Sequence, residues 1–122
     1  MCFLGVNWLQ RKNDGTNSET AQQAVLDAVS LHDYRNLKRV NSVESLLLRE
    51  ADMLDMLGVV GILREFAWGP NDLKVCYECI LARRNRIAGQ LTLPRAETTV
   101  EERLISVDQI LAQLTLDSFK ML

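Results

Sequence analysis

The chain has 122 residues, a length that fits one domain with a real hydrophobic core. Hydrophobic residues make up 48% and charged residues 25%, the balance of an ordinary globular protein. The net charge of −2 gives no electrostatic reason to expect a nucleic-acid partner, and no window approaches the roughly 18 apolar residues that a membrane span needs. With few prolines and glycines and no alternating strand pattern, the sequence predicts an all-α protein, and a cytoplasmic location is the default.

A single helical domain over residues 1–122 is expected to consist of two segments. Residues 1–17 form an N-terminal extension, and residues 18–119 form the helical body. Ser18 can cap a first helix that ends near Leu31 and turns a stripe of small apolar residues inward. The predicted stripe is Ala21, Ala24, Val25, Ala28 and Val29.

The second predicted helix, over about 42–57, is apolar around most of its circumference and is expected to be the central helix. Asn41 stands three residues before Glu44, which is the spacing of a capping box at a helix start. A third, short helix is predicted over 59–68, where the pair Gly69-Pro70 ends it.

Two further helices are predicted, over about 71–89 and about 97–115. Asn71 or Asp72 can cap the fourth helix, and Thr98 or Thr99 can begin the fifth as part of a capping box. About five helices joined by short loops are typical of a helical bundle. The fourth helix is expected to turn Leu73, Cys76, Tyr77, Ile80, Leu81 and Ile87 inward.

The basic run and the cysteine pair of the fourth helix are both expected to be structural rather than functional. The basic run over 83–86 is expected to be a solvated face. Cys76 and Cys79 form a C-x-x-C, but the chain offers only Cys2 and His32 as a second pair of zinc ligands, and the βαβ setting of a redox dithiol is not visible. Both cysteines are therefore expected to be small buried hydrophobes.

The candidate functional residues are carboxylates on the central helix and the single histidine. Asp52 lies among apolar residues, where a metal ion or an arginine would relieve the cost of an unpaired carboxylate; a salt bridge or simple exposure is the structural alternative. Asp55 is expected to orient a ligand shell or a facing arginine, or to lie exposed. Glu50 is expected to be solvated. His32 is either a ligand or general base, or a cap on the first helix.

Residues 42–68 resemble the segment that supplies the last metal-binding aspartate of HD-domain metal-dependent phosphohydrolases. The resemblance extends over roughly residues 30–119 and implies a fold like the C-terminal half of an HD domain. It implies that Asp52 binds metal and that His32 aligns with an accessory histidine upstream. The matching residues are Ala51-Asp52, Leu54-Asp55, Leu57-Gly58, Gly61-Ile62 and Arg64.

The resemblance also implies a divalent metal cofactor (Mn, Mg, Co, Ni or Fe) and a small phosphoester substrate such as a nucleotide. That family's early histidine is missing, and His32-Asp33 stands too close to Asp52 to be its His-Asp doublet. One aspartate helped by one histidine leaves a divalent ion mostly water-coordinated and weakly held. The metal site is therefore expected to be incomplete.

An HD-like fold without its front helices exposes apolar surface that a partner tends to cover. The apolar N-terminal decapeptide, with Phe3, Leu4 and Trp8, is expected to help cover this surface. We therefore expect an HD-derived oligomerising or interaction module, with a homodimer favoured and with no nucleic-acid or membrane partner. The alternative is a metal-dependent phosphohydrolase whose site is completed by another chain.

Overall fold

The structure is a computed structural model of the protein. It describes residues 19–122, with side chains from Ala21 onward. Regular structure in this part is helical throughout, which confirms the all-α prediction. No helix of the described residues is long and apolar enough to cross a membrane. The contacts divide the chain into two units, of which the first ends at Arg49 and the second begins at Glu50. The helices are α1 (Glu19–Leu31), α2 (Val43–Met56), α3 (Val59–Trp68), α4 (Leu73–Ile87) and α5 (Pro94–Asp117).

In the first unit, the predicted inward stripe of α1 is mostly exposed. Ala28 is buried and Val29 is half-buried, whereas Ala21, Ala24 and Val25 are exposed. The prediction is wrong for those three residues, because helical periodicity gives the apolar face but does not say how much of that face another element covers. The predicted cap, Ser18, and the predicted extension over 1–17 lie outside the described residues.

The connection between α1 and α2 is organised by the guanidinium of Arg49. Its Nε donates to the carbonyl of Leu31 at 2.8 Å, at the end of α1. Its Nη2 donates to the carbonyl of Asn36 at 2.9 Å, and its Nη1 to the carbonyl of Lys38 at 3.2 Å. One side chain thus supplies donors to both a helix end and the following loop, whose carbonyls have no helical partners.

The cap of α2 is Ser42 rather than the predicted Asn41. The Ser42 Oγ accepts from the backbone N–H of Ser45 at 3.1 Å, and the Ser42 carbonyl accepts from Leu46 N at 3.1 Å. Both serine and asparagine are good caps. The local pattern therefore predicted the start of the helix to within one residue, but not which side chain accepts the capping hydrogen bond.

In the second unit, α3, α4 and α5 pack against one another. The bounds of α3 match the predicted 59–68, and Asp72 caps α4 as predicted, with its Oδ1 accepting from Val75 N at 3.0 Å. Leu73 and Leu81 of α4 are exposed, contrary to prediction, because the buried stripe of that helix is narrower than the apolar pattern. The core of this unit contains Met53, Leu57, Ile62, Cys76, Ile80, Ile87, Leu91, Ala96, Val100, Val107 and Leu111.

The last helix begins earlier than predicted. Pro94 occupies its first turn, where the fixed φ of proline suits the helix and its missing N–H costs nothing. Thr98 and Thr99 lie inside the helix, and their hydroxyls donate back to the carbonyls of Pro94 and Arg95, at 3.1 Å and 2.8 Å. The two threonines therefore do not cap α5.

A glutamate from α2 binds the two residues that lead into α5. Leu93 precedes the helix and makes no side-chain capping bond. The Glu50 carboxylate accepts three hydrogen bonds there: from Leu93 N at 3.0 Å, Thr92 N at 2.8 Å and the Thr92 hydroxyl at 2.7 Å. Glu50 is only 1% exposed, so the expectation that it is solvated is wrong. These three donors and the positive end of the helix dipole compensate the carboxylate for lost water.

We expect Glu50→Ala to lower the free energy of unfolding by roughly 2–4 kcal/mol, because it removes a buried acceptor and leaves backbone donors at the start of α5 unsatisfied. Urea denaturation followed by circular dichroism measures the change. Glu78→Ala, at an exposed glutamate within α4, is the control and should stay within about 0.5 kcal/mol. Equal midpoints for the two variants would contradict a structural role for Glu50.

Candidate functional site

The residues that carry the HD resemblance form a tight corner between α2 and α3. Gly58 separates the two helices with φ at +97°, in the left-handed region that glycine tolerates best. Gly61 approaches the end of α2 so closely that a Cβ there would stand 2.2 Å from the Met56 carbonyl oxygen. Both glycines are therefore required by the backbone geometry of the corner.

Arg103 of α5 donates hydrogen bonds to backbone carbonyls of this corner. Its Nη1 donates to the carbonyl of Leu54 at 2.8 Å and to the carbonyl of Leu57 at 3.0 Å. These carbonyls belong to the end of α2, where acceptors lack helical partners and a positive charge is favoured by the helix dipole. Sequence reasoning missed Arg103, because nothing near it in the chain indicates its partners.

Asp55, predicted to orient ligands or a facing arginine, forms an ion pair with Arg64 across the corner. The two side chains are 52% and 58% exposed, so solvent screens the pair and its contribution to stability is small. Its arginine partner is itself a residue of the matching run. The pair accounts structurally for both of these motif residues.

Asp52, the predicted metal ligand, is half-buried on α2 and is not an unpartnered carboxylate. The free-energy cost that led to the prediction, that of an unpaired carboxylate among apolar residues, therefore does not arise here. Asp52 belongs to the second unit. Its role as a metal ligand stays a prediction.

His32, the other predicted ligand, is half-buried at the end of α1 in the first unit. Its Nδ1 lies 2.5 Å from the Val29 carbonyl oxygen. A carbonyl can only accept, so Nδ1 carries the proton and, in the neutral ring, Nε2 carries the lone pair. This is the geometry of a helix-end cap, and it is also the orientation that backbone carbonyls give to metal-binding histidines. Both interpretations of His32 remain open.

The donor set does not fit a resident metal ion. Among the residues that the structure describes, no three or more His, Cys, Asp or Glu side chains group so that they could hold one. Catalytic zinc sites use three protein ligands, and hard divalent ions need several oxygen ligands. Asp52 and His32 alone fall short of either requirement, so no reaction step can be derived through a metal at these residues.

The basic run on α4 is only in part the solvated face that was expected, since Asn85 and Arg86 are exposed but the two arginines before them are not. Arg83 forms a largely buried ion pair with Glu65 of α3. Arg84 binds Asp108 of α5 through two hydrogen bonds, at 2.8 Å and 2.6 Å, which hold the pKa of that carboxyl below its ordinary value. The expectation is wrong for these two arginines, because neighbouring helices place carboxylates opposite them. They join α4 to α3 and to α5.

The two cysteines of the C-x-x-C differ in environment. Cys76 is buried, as predicted, and its thiol donates to the Glu65 carbonyl at 3.7 Å. Cys79 is exposed, contrary to prediction. Three helical residues turn a side chain by about 60° from the same face, which is enough to take it out of a narrow core. The third cysteine, Cys2, lies outside the described residues.

Comparison with known proteins does not identify the family of this chain. No protein-family model matches it, and neither curated proteins nor solved structures give a significant match. The HD relationship therefore stays a prediction that depends on the residues of the α2–α3 corner.

Asp33, which follows His32, has a clear electrostatic environment. Its carboxylate accepts from Arg35 Nη2 at 2.6 Å, Arg35 Nε at 3.0 Å and Arg35 N at 2.9 Å. Above all, the side-chain hydrogen bonds from Arg35 lower the pKa of Asp33 from 3.8 to about 2. The arginine thus keeps the carboxylate ionised in the loop that Arg49 holds.

We expect carbon-13 NMR to give Asp33 a pKa of about 2, and Arg35→Ala to raise it toward 3.8. The pKa of Asp33 is lower in the folded protein than in the unfolded chain, so its ionisation stabilises the fold at pH values above the unfolded-state pKa. This contribution is lost as the pH falls from about 4 through about 2. Arg39→Ala, an exposed residue of the same loop, is the control and should leave the titration unchanged. An unshifted pKa in the parent protein would contradict the pairing.

Proposed function

We propose that this chain is a self-associating helical module, a homodimer first of all, rather than an enzyme that works as a single chain. The observation that carries the proposal is the outward face of α3. The side of α3 toward the core contributes Ile62, which is buried. The outward side is apolar as well: Val59, Val60 and Leu63 are 52%, 53% and 60% exposed.

A short helix that is apolar on both sides is normally covered on both sides. Counting 100° per residue places Val59, Leu63, Ala67 and Val60 within one arc of about 100°. A second copy of the chain presents the same patch, and a two-fold axis would bring the two patches together in a self-complementary contact. The surface therefore fits a homodimer without a further partner having to be assumed.

HD ancestry is part of the proposal. The Asp55–Arg64 pair and the glycines at 58 and 61 support a shared corner between α2 and α3, and the lack of a third metal ligand among the described residues supports a module without independent catalysis. A phosphohydrolase completed by another chain is the alternative. The contact of His32 Nδ1 with the Val29 carbonyl, which leaves Nε2 as a potential ligand, is the observation that favours it. The cytoplasmic location remains a prediction from composition.

We expect the parent protein to be a dimer and Leu63→Glu to be a folded monomer, because a carboxylate at the centre of the patch would be desolvated without a partner. Light scattering in about 1 M salt, where the Debye length is about 3 Å, isolates the apolar contact from exposed ion pairs. Leu116→Glu is the matched control, since Leu116 is 61% exposed on α5, and it should remain dimeric.

Circular dichroism of each variant separates loss of association from loss of folding, and Val60→Glu replaces Leu63→Glu if the latter unfolds. A parent protein that is monomeric at high concentration under these conditions would overturn the dimer. So would dimers that form only after residues 1–10 are removed, because the N-terminal segment would then be what covers the patch.

The enzymatic alternative has its own test. We expect protein purified without chelator to retain no divalent metal and to show no phosphatase turnover with Mn²⁺, Mg²⁺, Co²⁺ or Ni²⁺, because two ligands hold such ions weakly. Metal-dependent turnover that Asp52→Ala and His32→Ala abolish, and that Asp117→Ala leaves intact, would overturn the non-catalytic part of the proposal. Asp117 is an exposed acid at the end of α5 and serves as the control.

A further inference from the structure

The connection between α1 and α2 presents a leucine beside two positive charges. Leu37 is 87% exposed, and Lys38 and Arg39 after it are exposed as well. Arg49 binds the carbonyls of Asn36 and Lys38, one on each side of Leu37, and this fixes the backbone at the point from which the leucine projects. Within the described part of the chain, no acidic side chain pairs with Lys38 or Arg39.

The outer face of α5 presents the opposite charge beside a similar apolar residue. Ile105 is 58% exposed, and Glu101 and Glu102 are exposed one turn before it. Residues three and four apart on a helix are surface neighbours, so the two carboxylates flank the isoleucine. No basic side chain among the described residues pairs with either of them.

We propose that the basic loop (residues 36–39) of one copy docks on the acidic α5 face (Glu101, Glu102 and Ile105) of a second copy. Lys38 and Arg39 would lie opposite the two carboxylates, and Leu37 would pack against the isoleucine. The inference rests on the proposed self-association but uses a surface other than α3.

Charge complementarity selects a second copy as the occupant. The centre of the outward α3 face is uncharged, so it offers the lysine and arginine no counter-charge. An anionic lipid surface would neutralise the loop but would leave Glu101 and Glu102 without partners. A copy of this chain satisfies both surfaces at once, which is the arrangement that favours specific encounter.

The test uses full-length protein carrying Leu63→Glu, which removes the α3 contact. Sedimentation at low salt should detect weak self-association that disappears in about 1 M salt. Lys38→Glu with Arg39→Glu reverses the loop, and Glu101→Lys with Glu102→Lys reverses the α5 face; each pair should raise the dissociation constant by at least about 10-fold. Mixing the two reversed proteins should restore association, because the acidic loop of one then meets the basic helix face of the other.

Lys74→Glu with Lys120→Glu changes the net charge as much as the loop reversal does, at exposed positions elsewhere, and should leave association intact. Failure of the mixture to associate would overturn the inference, as would a Leu63→Glu protein that is monomeric at low salt. In the latter case, a parent protein that still dimerises in high salt would leave the proposed function standing. A parent protein that associates only at low salt, and only with its loop charges intact, would overturn the proposed α3 dimer and leave the loop contact standing.

Discussion

The second unit depends on a buried carboxylate at the start of α5. The two residues before that helix, Thr92 and Leu93, present backbone N–H groups that need a buried acceptor. Glu50 of α2 supplies it, with both carboxylate oxygens accepting hydrogen bonds. Burying a charge is costly unless it is fully bonded, and here charged bonds and the helix dipole act together. Because α5 packs on α3 and α4, Glu50 fixes the segment that leads into a helix on which the other two depend.

Arginines hold the remaining helix junctions. Arg103 satisfies carbonyls at the end of α2, Arg83 joins α4 to α3 through Glu65, and Arg84 joins α4 to α5 through Asp108. The planar guanidinium suits such positions, because its several donors are fixed in geometry and permanently charged. These charges are thus engaged in structural contacts between helices.

The run of residues that resembles an HD-domain segment has a structural explanation in this chain. Gly58 allows the left-handed turn, Gly61 allows close approach to the end of α2, and Asp55 pairs with Arg64. A tight corner needs such residues whether or not a metal lies beside it. No three His, Cys, Asp or Glu side chains of the described residues group so that they could hold a metal ion beside this corner.

The sequence by itself determined the features that depend on near neighbours: the helical class, the bounds of α3 and a cap of α4 at Asn71 or Asp72. Periodicity, capping and the Gly-Pro break act within a few residues, so a single sequence contains them. Only the tertiary structure decided that Glu50 is buried, that α5 begins at Pro94, and that Arg83 and Arg84 are paired. Each of these depends on a partner on another helix. The residues around a carboxylate or a guanidinium in the sequence are the same whether its hydrogen-bond partner is water or a distant helix end. Only the packing of the helices separates the two cases.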